Sequence, residues 1–388
     1  MKTRLFVICY LLFVISLTIY SYSQVDLNLT LNQNPLYLSF QKHLTFLGYF
    51  NRPLSALIYL CLIVLFFIFY FLFVLLVEKG KIGEREIWTL VLFTAICLWF
   101  SYNAFSYDLF NYIFDAKIVT FYHKNPYKFK ALDFPSDPML RFMHWTHRTY
   151  PYGPVWLLVT IPLSFLGRQK FLPTMFLFKG LAVSSYLFSC WCIFKILEKV
   201  ACEEKLKGLV IFAFNPLVII ESLVSAHNDI FMMVLVLFAF YFFLEKKIIF
   251  SWLFFFLSGG VKFATFLLLP VFLFLTFSHF KKKRIDWQKI WLFSFFLMFI
   301  AVLLAVKRTE LQPWYLLYPL SFLPFISSFS LFLLSVSLSF GALLRYFPFL
   351  ALGYWDPPVP TIKFWLTLTP FLIVCLFLLR VKHFSTST

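Results

Sequence analysis

In a chain that is 62% apolar, four polar residues recur at helical spacing. Asp108, Asn111, Tyr112 and Asp115 stand at i, i+3, i+4 and i+7, while Leu109, Phe110, Ile113 and Phe114 point elsewhere. A carboxylate so placed can take a proton from a sugar hydroxyl, accept hydrogen bonds from a sugar, or hold a divalent metal. An interfacial helix whose acids are merely solvated or capping has the same pattern.

A second polar group, Glu221, Ser222, Ser225, His227, Asn228 and Asp229, closes an apolar run at 207–224. Read as a continuing helix, it puts Glu221, Ser225 and Asn228 on one face. A carboxylate at membrane depth must be paired or used, and Lys179 and Lys262 are the candidate partners. Lys262 follows Gly259-Gly260, so a cation at a helix break can hold a lipid phosphate by charge and by nearby backbone N–H groups, or it can snorkel. Aromatic residues form a third set: Asn125-Pro126-Tyr127, Trp145, the run Tyr150 to Trp156, and Gln312-Pro313-Trp314-Tyr315. Fixed backbone with Tyr and Trp at headgroup level suits sugar stacking and interfacial anchoring alike.

Most of these residues fall in one segment, 106–156, which holds four Asp, six Lys or Arg and three His in a chain only 13% charged. The elements around it are membrane spans. Apolar runs near 20 residues, without the two-residue alternation of barrel strands, are expected at 5–22, 54–77, 87–105, 171–197, 207–224, 229–244, 288–306, 314–334, 336–352 and 362–380. The apolar stretch 248–280 is expected to be a hairpin of two short helices around the glycine pair. The fold class is therefore all-α and polytopic, with about 10–13 transmembrane helices counting short or partial ones. One membrane domain is expected over 1–388: an N-terminal hairpin at 5–77, a core at 87–320 with its outer loop at 106–156, and C-terminal spans from 321 to 388.

Lys and Arg in short loops set the orientation. Lys2/Arg4, Lys79 to Arg85, Lys195 to Lys207, Lys246/Lys247, Lys281 to Arg284 and Arg380 to Lys382 are expected in the cytoplasm, which puts 106–156 outside. The net charge of +17 is thus an orientation and lipid-anchoring signal, and nucleic acid is not expected as a partner. Segment 151–166, with Pro151, Pro154 and Pro162, is expected to be a partial helix that does not exit, because a full span would invert everything after it. The N-terminal run lacks a small-residue cleavage site and is expected to be a retained first span. None of the seven Cys lies in 106–156, so neither a disulfide framework nor a zinc site is suggested. No P-loop, G-x-G-x-x-G, H-E-x-x-H or nucleophile elbow occurs, which leaves a soluble nucleotide cofactor no evident place.

Taken in order, Asp108 with Tyr112, N-P-Y at 125–127, Trp145, Y-G-P at 152–154, N-P-L at 215–217, H-N-D at 227–229, G-V-K at 260–262 and P-W-Y at 313–315 form a longer pattern. It resembles the actinobacterial polyprenol-phosphomannose-dependent α-1,6-mannosyltransferases of the GT-C superfamily, over about residues 100 to 320. Two departures stand out: Lys124 precedes N-P-Y, and the pair Tyr150-Pro151 precedes Tyr152. The resemblance implies an inverting transfer of a hexose, mannose first, from a polyprenyl-phosphate donor to a lipid-linked or cell-envelope glycan at the outer face of the plasma membrane. It implies Asp108 as general base, with Tyr112, Asn125, Tyr127, Tyr152, His227, Asn228 and Asp229 lining the donor and acceptor pocket; Asp115, Glu221, Trp314 and Tyr315 join them as candidates by position. Lys262, Arg141 and Arg148 are the expected phosphate-binding cations, doing what a metal does for nucleotide-sugar enzymes, so no metal or other cofactor is expected. The rival is a transporter or flippase of lipid-linked saccharides built on Glu221, Asp229 and Lys262; the absence of an internal repeat and the large outer loop favour an enzyme.

Overall fold

The structure is a computed structural model that describes residues 2–386, with side chains from 4 to 381. The side chains of Lys2 and Lys382, both counted above as cytoplasmic, lie outside the described residues. The helices are α1 (Lys2–Ser21), α2 (Pro35–Thr45), α3 (Arg52–Glu78), α4 (Glu84–Trp99), α5 (Asp108–Thr120), α6 (Pro154–Leu166), α7 (Phe171–Val200), α8 (Lys205–Ala213), α9 (Pro216–Ile219), α10 (Asp229–Leu244), α11 (Ile248–Gly259), α12 (Leu269–Phe280), α13 (Trp287–Arg308), α14 (Leu317–Leu320), α15 (Phe329–Leu344), α16 (Tyr346–Leu352) and α17 (Val359–Thr386). No strand occurs among the described residues. Among the described residues, seven helical segments are long and apolar enough to cross a bilayer, and the bent pair Cys202–Ala213 and Pro216–Val224 makes an eighth if it is taken as one span. The chain is an all-α polytopic membrane protein.

Ion pairs locate the charged loops. Lys207 reaches Glu78 at 2.8 Å, Lys205 reaches Glu84 at 3.4 Å and Lys199 reaches Glu245 at 2.8 Å. Each such surface pair contributes little energy, but together they put the loops after α3, α7 and α10 at one end of the bundle. Asp108 lies at the other, past the far end of α4. Helix α6 stays at that far end: Tyr112 of α5 packs against Trp156 at 5.3 Å and Thr120 meets Ser164 at 2.9 Å, so α5 and α6 run alongside each other in the same direction. As expected, α6 does not cross, and its exposed Leu158, Phe165 and Leu166 face outward.

The stretch after 248 is a hairpin, as its composition suggested. Helix α11 rises to Gly259, the chain turns, and α12 returns against it, with Trp252 Nε1 donating to Thr276 Oγ1 at 3.0 Å and the Phe255 and Phe272 rings 4.5 Å apart.

Three expectations need correction. Residues 314–334 are not one span: Pro313, Pro319 and Pro324 divide the chain into short turns at Pro313–Leu316, α14 and Leu323–Phe325. The next crossing is a single unit, Phe329–Leu352, in place of two. The run 207–224 is bent by 57° at Asn215-Pro216, where Pro216 cannot continue the helix and Asn215 Oδ1 caps the new one by accepting from the Leu217 N–H at 2.9 Å. Helix α2, which packs across the ends of α1 and α3, was not anticipated; its apolar periodicity was masked by the polar residues around it.

Candidate active site

Four pieces of chain converge at the end opposite the ion pairs: the start of α5, the segment 150–156, the loop 225–229 and the turn at Gly260-Val261-Lys262. Beyond the bent pair the chain does not continue as a helix. A wide turn ends at Val224, and Ala226 adopts φ +54°, so the shared helical face expected for Glu221, Ser225 and Asn228 does not form. The same bend instead swings His227 back over Glu221, with the His227 N–H donating to the Glu221 carbonyl at 3.0 Å.

His227 then sits between two acids. Its Nδ1 lies 3.6 Å from Asp108 Oδ2 and its Nε2 lies 3.4 Å from Glu221 Oε2. Both distances exceed a formed hydrogen bond, and burial, reinforced by the Lys262 charge, pushes the imidazole well below its ordinary pKa. A neutral ring is thus held in place chiefly by stacking on Trp314, 3.9 Å away and 20° from parallel. Glu221 is fixed on its other oxygen by the Tyr346 hydroxyl at 3.0 Å. Neither lysine suggested as its partner reaches it: Lys179 Nζ donates to the Ser101 carbonyl and hydroxyl at 2.7 Å and to the Val224 carbonyl at 3.4 Å, tying α4 to the bent pair.

Lys262 pairs with Asp229, at 2.8 and 2.7 Å to its two oxygens, and Tyr318 donates to Asp229 Oδ1 at 2.6 Å. Its charge is therefore already compensated, which corrects the picture of a free cation awaiting phosphate. The turn that carries it is clamped: the Gly153 N–H donates to the Val261 carbonyl at 2.9 Å and the Val155 N–H to the Gly260 carbonyl at 3.0 Å. A Cβ on Gly153 would fall 2.2 Å from the Gly260 oxygen, so only glycine lets the two backbones approach.

Asp108 opens α5, with its N–H donating to Ser106 Oγ at 3.2 Å, and 17% of its side chain stays accessible. Burial pushes its carboxyl up to about 6 against the lowering influence of Lys262, with Asp229 raising it further and Arg148 opposing. Two turns on, Asp115 is buried and pushed up to about 8, first by burial and then by Asp108. The Tyr112 hydroxyl donates to Asn228 Oδ1 at 3.3 Å and its ring meets Tyr152 at 5.3 Å.

The other candidates divide. Arg148 lies over the Trp145 ring at 4.3 Å, close enough for its charge to favour the ionised form of Asp108. Arg141 lies apart from these groups, exposed, its carbonyl accepting from Asn28 Nδ2 at 3.1 Å. Asn125 is exposed and shapes a turn through Oδ1, which accepts from the Tyr127 N–H at 2.9 Å, while Tyr127 donates to the Tyr152 carbonyl at 3.2 Å. N-P-Y thus braces the Tyr152 segment from behind. Tyr315 stands beside Trp314 and Tyr318, with ring centroids 5.8 and 6.1 Å away. Among the basic residues of the loop, Lys117 is consumed by an ion pair with Asp137, which also accepts from the Tyr122 hydroxyl at 2.7 Å.

Sequence reasoning missed Tyr318 and Tyr346, the hydroxyls that fix Asp229 and Glu221. Tyr318 carried a weak signal three residues after Tyr315; Tyr346 carried none.

The cluster of polar groups around His227, called the chamber below, has hydrogen-bonding capacity to spare. Glu221 Oε2, Ser222 Oγ, Ser225 Oγ, both His227 nitrogens, Asn228 Nδ2, Asn111 Oδ1 and Trp156 Nε1 are buried without a hydrogen-bond partner. So many orphaned donors and acceptors in one place fit a polyhydroxylated ligand that supplies the missing bonds.

The family model described as alpha-(1->6)-mannopyranosyltransferase, N-terminal domain, matches residues 15–278. No curated protein and no solved structure matches the chain. The matched span holds Asp108, Glu221, His227, Asp229 and Lys262 and stops before Trp314, Tyr318 and Tyr346.

Proposed function

This chain belongs to the alpha-(1->6)-mannopyranosyltransferase family, and from that premise we propose that it moves mannose, with inversion, from a polyprenyl-phosphate donor to a hydroxyl of a lipid-linked or cell-envelope glycan outside the plasma membrane. Asp108 is the general base. Its carboxylate takes the proton of the acceptor hydroxyl as that oxygen attacks the anomeric carbon. The bond from that carbon to the phosphate oxygen breaks on the opposite face, and the polyprenyl phosphate leaves with the electron pair. An α-linked product formed by inversion calls for a β-linked donor.

The other groups position and stabilise. His227, flat on Trp314 between Asp108 and Glu221, offers ring nitrogens to sugar hydroxyls, as do Ser225 and Asn228. Arg148 supplies positive potential where charge grows on the departing phosphate, and Lys262, neutralised by Asp229, holds the turn beside it in place. On this reading the reaction needs no divalent metal, and chelation with EDTA leaves turnover intact.

One observation carries the reading: an accessible carboxyl, poised near neutral pH, stands beside a buried cluster of unsatisfied polar groups at the membrane end away from the basic loops. The test supplies purified protein in detergent with radiolabelled polyprenyl-phosphate mannose and, separately, glucose and arabinose analogues. Wild type is expected to transfer mannose, and Asp108→Asn to lose about 100-fold or more in turnover while still folding. Near-normal turnover by that variant removes Asp108 from its role, and turnover only with a nucleotide sugar overturns the donor.

A further inference from the structure

Away from the chamber, a second charged cluster lies in the C-terminal bundle, beyond the family-matched span. Arg345, at the junction of α15 and α16, and Lys363, in the first turns of α17, are each more than nine-tenths buried. They share one carboxylate: Arg345 Nη2 reaches Glu310 Oε2 at 2.9 Å and Lys363 Nζ reaches Glu310 Oε1 at 2.9 Å, while Gln312 Nε2 donates weakly to the same oxygen at 3.4 Å. Arg345 Nη1 also meets Thr367 Oγ1 at 3.3 Å, and Lys363 lies over the Trp355 ring at 4.6 Å. Glu310 is half exposed on a loop, so two buried cations share one acid that borders solvent.

Beside this cluster runs an apolar groove of about 420 Å³, lined by Leu344, Ile362, Trp365, Leu366, Thr369 and Pro370. It extends along α17 for about 10 Å at 1.5 Å per residue, leading from Lys363 toward the bilayer interior. Leu344 adjoins Arg345 in sequence, so charge and groove meet. An open apolar groove running beside two buried cations matches a lipid with a compact, doubly charged head: with Glu310 displaced, the two positive charges balance a phosphate monoester. Ordinary phospholipids carry a phosphodiester with one charge.

We propose that Arg345, Lys363 and the α17 groove form a binding site for polyprenyl monophosphate, with the phosphate replacing Glu310 on the two cations and the isoprenoid chain lying along Ile362, Leu366 and Thr369. The site adjoins the chamber, because Tyr346, next to Arg345, holds Glu221 at 3.0 Å, and Glu310 lies just before the Trp314 that stacks on His227. The spent carrier thus has a place to wait after the sugar has gone. The identity of the ligand rests on the proposed donor chemistry, but the binding is read without any turnover.

The experiment measures binding of radiolabelled polyprenyl monophosphate to the full-length protein in detergent, with polyprenol and phosphatidylglycerol as competitors. Wild type is expected to bind the monophosphate and to release it to neither competitor at equal concentration. Lys363→Gln, which removes a charge-assisted hydrogen bond, is expected to weaken binding about tenfold or more. Glu310→Gln is expected to tighten it. Thr369→Trp fills the groove from an exposed, lipid-facing position without touching the charges, and is expected to weaken binding even if the lysine variant folds poorly. Equal competition by phosphatidylglycerol or polyprenol, or wild-type binding by Thr369→Trp, overturns the site. Binding without any mannosyl transfer from the lipid donor overturns the proposed function and leaves the site standing.

Discussion

Two membrane crossings separate Asp108 from His227 along the chain, yet their side chains face each other at 3.6 Å. The gap is slightly too long for a hydrogen bond and too short for an intervening sugar ring. It fits a base and an orienting ring that close on a single hydroxyl.

The two aspartates of α5 are expected to behave oppositely. Asp108 must be ionised to act as a base, so kcat/KM should fall about tenfold per pH unit below about 6 and level off above it. Asp115, held protonated at neutral pH, should tolerate Asp115→Asn with turnover within a few-fold and the acid limb unchanged. Its raised pKa also carries a sign for stability: relative to Asp115→Asn, the wild type is most favoured below its unfolded pKa of about 4 and loses that advantage as pH rises through about 8. Thermal unfolding of both proteins in detergent across that range checks the trend.

Gly153→Ala tests the clamp on the Lys262 turn. The backbone at 153 is ordinary, with φ −74°, so space alone is the obstacle. The new methyl meets the Gly260 carbonyl and should cost about 1–3 kcal/mol by forcing the two backbone segments apart. Turnover should fall more than the melting temperature suggests, because Lys262 and Tyr152 move together; unchanged kinetics would show that the clamp is dispensable.

Removing one partner of the Lys262 and Asp229 pair leaves an uncompensated buried charge. Lys262→Gln should destabilise by about 3–5 kcal/mol, and adding Asp229→Asn should recover much of that loss without restoring activity. Denaturation of the single and double variants settles this; equal instability of both would mean that the pair does not act as a unit.

Orientation can be read with a membrane-impermeant maleimide. Cys202 is exposed at the end that gathers the ion pairs, and that end is expected to be cytoplasmic. It should stay unlabelled in intact cells and react after permeabilisation, whereas a cysteine introduced by Lys128→Cys in the outer loop should react at once. The reverse pattern would put the chamber inside the cell.

Composition and run length alone were enough for the all-helical membrane fold, since a bilayer accepts only segments that satisfy their own backbone and these runs have the length to cross it. Basic loops foretold which ends gather together, and a short proline-bearing segment foretold that α6 stays on one side. Residue type and order were also enough to bring Asp108, His227, Asp229, Lys262 and Tyr152 forward as candidates. What they touch was decided only by tertiary structure. Helical spacing holds only as far as the helix runs, and the wide turn after Glu221 with the reversal at Ala226 replaced the expected face with a contact between Glu221 and His227. Whether Lys262 was free or paired depended on α10 and α11 meeting, and Tyr318 and Tyr346 became anchors only once distant spans packed against the chamber. A pattern along one helix carries no information about which other helix will supply the partner, because that choice is made by packing across the whole bundle.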